Sequence, residues 1–399
     1  MFSEIFIKRV FLASSMQRWN DHIRPVELTE IDKRGHQAII AYIIGKYEEQ
    51  KGNSFDWKKL IEGLIFEFIF RLVLTDIHPK VFHKIIKEKR KETNEWVIKE
   101  LEPVLESMGD EFKFNFIRYI EDENYSKLEK EILDAASFFS TKYEFDLVYE
   151  SNKNTTLNIE NTKKEIYSRL EEYKEKSMTK EILKNQKILD FIKLCSQLRF
   201  QQRWAQAPRI PKTSVLGHMY FVALISYMCS VEIEASPKRL FNNFFTSLFH
   251  DLPEVLTRDI ISPVKQGIEG LSELIKEYEK SQMEEIVYPL LPEFIRKDIE
   301  YFTENEFASR IKINDETIIT TSENIQNKFN KDEFSPVDGE ILKACDHLGA
   351  YMEAVSSKKH GIKAIEFDEG IERFLDIYKD KEILGINFGK IFDLLGEEK

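Results

Sequence analysis

The sequence repeats itself, and this feature limits the fold more than any other. Four pairs of segments match in the same order along the chain: 14–25 with 196–209, 34–43 with 216–225, 68–81 with 250–265, and 87–105 with 276–291. The offset within each pair stays near-constant, at about 180 residues, as expected for duplicated units. The repeat therefore predicts two tandem copies of one domain. The alternative is that two helical segments share only their composition.

Apolar residues recur at intervals of three and four along most of the chain, which predicts an all-α fold. One region differs, because residues 309–325 alternate apolar and polar side chains around Asn314-Asp315 and predict a small β-hairpin. The polar run 150–156 has the composition of a linker. We therefore expect two helical bundles. The predicted divisions are a degenerate domain over 1–149, a linker and charged helix over 150–184, and a catalytic domain over 185–399.

Charge and cysteine content narrow the partners and the compartment. A formal net charge of −12 makes nucleic-acid binding unlikely, since that requires clustered lysine and arginine. The three cysteines occur in no CxxC spacing, as in a reduced cytoplasmic protein. Charged residues interrupt the apolar run of the first 19 residues, which predicts an amphipathic helix rather than a signal peptide. No apolar run reaches the roughly 20 residues that span a bilayer, so we expect a cytoplasmic protein without a membrane partner.

Four side chains of the second copy form a candidate metal site. They lie in three apolar helical segments that can converge inside a bundle: His218, His250, Asp251 and Asp346. Two imidazoles and two carboxylates suit one divalent ion such as Mn, Co, Ni, Fe or Zn better than Mg, which prefers oxygen ligands. A single histidine on an apolar helix is more often a hydrogen-bonded core residue, so the prediction depends on the combination.

The first copy has lost this set. When the shared Val-Leu-Thr sequences are aligned, His250, Asp251 and Glu254 fall on three apolar residues: Phe68, Ile69 and Leu72. Ser137 occupies the position that corresponds to Asp346. A buried carboxylate without a partner is costly, so a site that loses its ion is expected to fill with apolar side chains.

These residues resemble the HD-domain metal-dependent phosphohydrolases, and most closely the bacterial 5′-deoxynucleotidases. That family carries an Arg-Trp pair before the first metal-ligating histidine, and then the run H-D-x-x-E-V-L-T-x-D-x-x-x-P-V-K. The run 250–265 matches every specified position of this motif. The resemblance covers roughly residues 185 to 380, whereas the first half matches only its scaffold.

The resemblance implies that His218, His250, Asp251 and Asp346 hold the metal, with Asp251 and Glu254 as the catalytic carboxylates. Glu254 would orient the attacking water or take its proton. Its spacing of four residues from His250 predicts that both side chains lie on one face of a continuous helix.

The substrate contacts are also implied by the resemblance. Arg203 would clamp the phosphate, as guanidinium groups commonly do. Trp204 would shape the sugar pocket, where this family discriminates against a ribose 2′-hydroxyl. Thr257 and Asp259 would contact phosphate or sugar.

The sequence therefore predicts a phosphohydrolase that removes phosphate from nucleoside 5′-monophosphates, with deoxynucleotides as the expected substrates. Two alternatives remain open. One is a dNTP triphosphohydrolase or another phosphoester hydrolase with the same metal core. The other is a non-catalytic nucleotide-sensing module with a structural metal. Because compact family members are expected to dimerise, the two halves would form an intramolecular pseudo-dimer, and further oligomerisation is left open.

Overall fold

The computed structural model describes residues 3–260 and 267–397, and helices dominate this part of the chain. They are α1 Glu4–Phe11, α2 Glu30–Gln50, α3 Trp57–Leu74, α4 Pro79–Glu88, α5 Arg90–Ser107, α6 Asp110–Glu121, α7 Lys127–Asn152, α8 Ile159–Glu175, α9 Ser177–Lys184, α10 Gln186–Ser196, α11 Val215–Glu232, α12 Pro237–Phe249, α13 Glu254–Thr257, α14 Leu271–Gln282, α15 Glu293–Thr303, α16 Ser322–Asn324, α17 Gly339–Lys359, α18 Ile365–Tyr378 and α19 Phe388–Gly396. The predicted all-α class is confirmed.

Two long helices begin at matching hydroxyl caps. The Thr29 hydroxyl accepts a hydrogen bond from the backbone N–H of Asp32 at the start of α2, and the Ser214 hydroxyl accepts one from Gly217 at the start of α11. Each cap satisfies a backbone donor that the first helical turn leaves unpaired. The sequence thus fixes where each helix starts, and therefore which side chains lie one turn inside it.

Helix α11 lies at the centre of the fold. It packs against α12, α2 and α17, and α2 in turn packs against α7. Among the described residues it is the one helix with the length and apolar composition to cross a membrane, and 89% of it is buried inside the protein, as in a core helix.

The two halves of the chain share one hydrophobic core. A Cβ on Gly217 of α11 would come within 2.9 Å of Ile31 on α2, so the absence of a side chain allows these helices to approach closely. The Tyr42 ring of α2 also packs on Phe245 and Phe249 from the second half. Placement of the α11 side chains therefore depends on the first half of the chain.

The predicted hairpin is present. Strands β1 (Arg310–Ile313) and β2 (Glu316–Ile319) pair antiparallel, with Arg310 opposite Ile319. Asn314 and Asp315 have φ angles of 52° and 64°, the left-handed conformation that a tight two-residue turn requires. A second ribbon joins β3 (Glu382–Ile383) to β4 (Ile386–Asn387).

The predicted linker run spans the last turn of α7 and the loop that precedes α8. The charged segment after it forms two helices, α8 and α9, whose side chains are largely exposed. The predicted N-terminal amphipathic helix is also present as α1, with Phe6, Ile7, Val10 and Phe11 buried. The division into three domains stays a prediction.

Candidate metal centre

Three helices bring a candidate ligand set together. His218 lies one turn after the Ser214 cap of α11, His250 closes α12 as its C-terminal cap, and Asp346 projects from α17. One nitrogen or oxygen from each of these three residues lies within 4.8 Å of the others. Both histidines are buried, whereas the Asp346 side chain is 19% exposed. The cluster is therefore open to solvent on its carboxylate side.

The hydrogen bonds around His250 orient its ring towards Asp346. Nδ1 lies 2.7 Å from the carbonyl oxygen of Ser247, so this nitrogen donates and the lone pair is on Nε2. Nε2 is buried, lies 3.7 Å from Oδ1 of Asp346, and makes no hydrogen bond with the described residues. His218 Nε2 lies 2.8 Å from the same Oδ1. Two imidazole nitrogens converging on one carboxylate fit a divalent metal ion.

Asp251 lies beside this cluster. Its Oδ2 is 3.2 Å from His250 Nε2 and 3.4 Å from Nη1 of Arg203. Burial alone would raise its pKa, but His250 and Arg203 lower the pKa of Asp251 to about 2. Asp251 thus links the ligand cluster to the Arg203 guanidinium as an ionised carboxylate.

Arg203 and Trp204 are fixed by Glu353, a residue that the sequence reasoning missed. The Trp204 indole Nε1–H donates to Glu353 Oε2 over 3.0 Å, and Arg203 Nε lies 3.4 Å from the same oxygen. Trp204 has a φ of 53°, so the backbone here is in the left-handed region. Glu353 lies seven residues after Asp346 on α17, and this two-turn spacing was the sequence signal for a shared face.

One comparison with known proteins identifies the second half. Residues 195–374 match the family model described as HD domain. This segment of the chain is an HD domain. No curated protein and no solved structure matched the chain. HD domains are typically metal-dependent hydrolases, so the match supports metal-dependent phosphohydrolase chemistry in general, and the converging ligands lie inside the matched segment.

Three of the four predicted ligands of the HD domain lie in the cluster, and the fourth, Asp251, is at its edge. The predicted Glu254 geometry is wrong, because α12 ends at Phe249 and α13 begins at Glu254. Between them the backbone N–H of Glu254 bonds to the carbonyl of Asp251, a three-residue spacing that winds the chain more tightly than an α-helix. Glu254 is therefore buried near the cluster without sharing one α-helical face with His250.

The remaining predicted contacts of the HD domain take different positions. The Thr257 hydroxyl donates to Glu279 on α14 over 2.9 Å. Asp259 lies in the electrostatic environment of Arg203 and Asp251, and burial together with Asp251 raises its pKa although Arg203 lowers it. The final motif residues, Pro263, Val264 and Lys265, lie outside the described residues.

A similar arrangement occurs outside the HD domain, in the first half. Glu144 on α7 accepts hydrogen bonds from Arg18 Nε at 2.8 Å and from Trp19 Nε1 at 3.0 Å, and Trp19 also has a left-handed φ, of 54°. Isolated backbone bridges join Gln17 to Thr29 and Gln202 to Ser214. Both members of these two pairs are separated by 185 residues, as are the two helix caps.

This offset corrects the residue pairing between the halves. The predicted match of His36 with His218 is displaced by three residues, and counting from the caps pairs His218 with Lys33 instead. Lys33 Nζ donates to the Ser137 hydroxyl over 2.7 Å, just as His218 contacts Asp346. Ser137 therefore takes the place of Asp346, as the sequence predicted.

Proposed function

We propose that the HD domain hydrolyses nucleoside 5′-monophosphates to the nucleoside and phosphate, with deoxynucleotides as preferred substrates. The observation that carries this proposal is the adjacency of a buried ligand cluster to a guanidinium. Arg203 lies 3.4 Å from Asp251, and Asp251 lies 3.2 Å from His250 of the cluster. A metal site beside a fixed guanidinium is suited to a phosphoryl group, because both positive centres meet the charge on its oxygens.

His218, His250 and Asp346 would hold the ion, with Asp251 completing the set. When bound there, a divalent metal polarises a phosphoryl group and lowers the pKa of water. The nature of the donors supports Mn, Co, Ni, Fe or Zn over Mg, since two of them are imidazole nitrogens.

Arg203 binds and orients the phosphate in this proposal. Burial alone would lower its pKa, but Glu353, Asp259, Asp251 and Asp346 raise the pKa of Arg203 well above its ordinary value, so the group stays charged. Its side chain is only 12% exposed, which keeps water from screening the contact with substrate.

Glu254 takes a proton from the attacking water. The water oxygen forms a bond to phosphorus, and the bond from phosphorus to the 5′-oxygen breaks. The leaving 5′-oxygen receives a proton, so the products are a nucleoside and inorganic phosphate. Trp204 bounds the sugar side of this site, and Asp259 and Thr257 contribute polar contacts.

We further infer that the two halves arose by duplication, since both contain an Arg-Trp pair held by a glutamate and helices capped 185 residues apart. The first half packs on α11 as an intramolecular partner. A reduced cytoplasmic location is proposed with it, because all three cysteines are free and buried.

Hydrolysis by metal-stripped protein tests this proposal after each divalent ion is restored. The substrates are deoxynucleoside 5′-monophosphates, the matching ribonucleotides, and deoxynucleoside triphosphates. Orthophosphate release from monophosphates, lost in Asp346→Ala, is expected. Tripolyphosphate release would instead identify a triphosphohydrolase. Binding of metal and nucleotide without turnover of any substrate would replace the enzyme by a sensing module.

A further inference from the structure

We propose that Glu353 is a positioning residue that aligns the phosphate-binding Arg203 with the metal ligand His218. This inference rests on the proposed function, because it assigns Arg203 to the phosphate. Glu353 is not expected to contact the reacting atoms. It acts by fixing two groups that approach the reaction centre from different parts of the chain.

The two carboxylate oxygens of Glu353 serve different partners. Oε2 accepts hydrogen bonds from Trp204 Nε1 at 3.0 Å and Arg203 Nε at 3.4 Å. Oε1 accepts one from the Thr213 hydroxyl and lies 3.8 Å from His218 Nδ1. A single rigid carboxylate therefore spans the loop that carries Arg203 and the helix that carries His218.

The ring of His218 needs such a partner. Its Nε2 faces Asp346, while its Nδ1 is buried and makes no hydrogen bond with the described residues. When Nε2 ligates a metal, Nδ1 must carry the proton, and a nearby carboxylate then stabilises the N–H and raises the donor strength of the ring. Glu353 is the carboxylate closest to this nitrogen in the described part of the chain.

Burial shows how strongly the surroundings hold Glu353. The residue is 1% exposed, and an unpaired carboxylate there would be unstable. Burial alone would raise its pKa, but Arg209 and Arg203 lower the pKa of Glu353 to about 2. The carboxylate is thus charged and fixed at neutral pH, as a positioning role requires.

The first half of the chain supplies a comparison for the purely structural part of this role. Glu144 makes the same contacts with Arg18 and Trp19, although the metal ligands are absent there. Arg18 also donates from Nη1 to Glu30 at 2.8 Å, which occupies the end of the guanidinium. Arg203 instead directs Nη1 at Asp251 over 3.4 Å, towards the ligand cluster. Holding an Arg-Trp pair is thus common to both halves, whereas alignment with a metal ligand is specific to Glu353.

Glu353→Gln and Glu144→Gln form a matched pair of variants in the full-length protein. Each removes one buried negative charge and keeps the size of the side chain. The affinity for Mn²⁺ is measured without substrate by competition with a chromophoric chelator. The inhibition constant of inorganic phosphate, and KM and kcat for the best substrate, are measured with the metal bound. Circular dichroism and thermal unfolding report folding.

Glu353→Gln is expected to weaken Mn²⁺ affinity about 10-fold and to raise the phosphate inhibition constant and KM about 10- to 100-fold, the range that outer-shell partners typically contribute. Glu144→Gln should leave all three values unchanged. Glu353→Asp, which keeps the charge but shortens the reach, should fall between wild type and Glu353→Gln and provides a second variant should the glutamine variant unfold.

Unchanged Mn²⁺ affinity or unchanged phosphate inhibition in both Glu353 variants would overturn the proposal, because one carboxylate would then not align both groups. Equal losses in Glu144→Gln would also overturn it and leave only a structural role. If the wild type hydrolyses no phosphomonoester, the proposed function fails separately. The Mn²⁺ and phosphate affinities still decide the role of Glu353 in that case.

Discussion

The two halves of the chain hold an Arg-Trp pair in the same way but surround it with different chemistry. Glu144 holds Arg18 and Trp19 in the first half, and Glu353 holds Arg203 and Trp204 in the HD domain. The glutamate clamp is therefore a property of the scaffold. What distinguishes the HD domain is the set of neighbours that leaves its arginine directed towards a ligand cluster.

The charge balance around each arginine explains this difference. In the first half, Arg18 pairs with Glu30 and Glu144, and Arg34 pairs with Glu30 and Glu67. These ion pairs satisfy one another. In the HD domain, four carboxylates lie around two guanidinium groups: Asp251, Asp259, Asp346 and Glu353 around Arg203 and Arg209. The excess negative charge is what a divalent cation would neutralise.

Exchange of a single residue between the halves should have the largest effect. Asp346→Ser places in the HD domain the residue that the first half carries as Ser137. We expect activity to fall by more than about 100-fold, because a direct ligand should cost more than the 10- to 100-fold typical of outer-shell partners. Initial rates of phosphate release measure this change. Ser137→Ala is the matched control and should retain wild-type activity. Equal losses in both variants would contradict the assignment of the site to the second half.

Removal of the buried charge that satisfies the first half should destabilise the protein. Glu30→Gln leaves Arg18 and Arg34 without a shared carboxylate, and we expect a loss of about 3 kcal/mol at pH 7. Urea unfolding measured across pH tests this value.

The pH dependence follows from the pKa of Glu30. Burial alone would raise that pKa, but Arg34 and Arg18 hold it well below its ordinary value of 4.5. Its contribution to stability is therefore complete above about pH 4.5 and is lost as pH falls through the lowered folded-state pKa. The difference between wild type and Glu30→Gln should shrink below pH 4.5. A difference that grows on acidification would contradict this ion-pair account.

Metal addition should stabilise the wild type through the HD domain alone. At a Mn²⁺ concentration 100 times its dissociation constant, we expect about 2.7 kcal/mol of added stability, because the ion binds the folded state. Chemical unfolding with Mn²⁺ and with a chelator measures the difference. Asp346→Ser should lose this response, whereas Ser137→Ala should keep it. Stabilisation that persists in Asp346→Ser would place the ion elsewhere.

The smallest expected effect concerns the space beside the first ligand. A Cβ on Gly349 would lie 2.8 Å from Cε1 of His218, so Gly349→Ala must displace the imidazole. We expect a loss of about 2 kcal/mol from overpacking, together with weaker metal binding. The same helical position in the first half is Ser140, whose hydroxyl donates to the Lys33 carbonyl over 3.1 Å. Ser140→Ala should cost about 1 kcal/mol and leave metal affinity unchanged. Unfolding curves and chelator competition on both variants would separate the two roles.

Local patterns in the sequence determined much of this protein. Apolar periodicity predicted the helices, Asn314-Asp315 predicted the hairpin turn, and the order of His218, His250 and Asp346 predicted the ligand cluster. Each of these signals reports a short-range preference or a residue type with specific chemistry, so each is readable without knowledge of how the helices pack.

The tertiary structure decided what depends on register and convergence. The positions of the helix caps pair Lys33, rather than His36, with His218. A tight turn after Phe249 separates Glu254 from the helical face of His250. The role of Glu353 depends on contacts with side chains about 140 to 150 residues earlier in the chain. Periodicity places a side chain on a helix face, but only the packing of one helix against another decides which group that face meets.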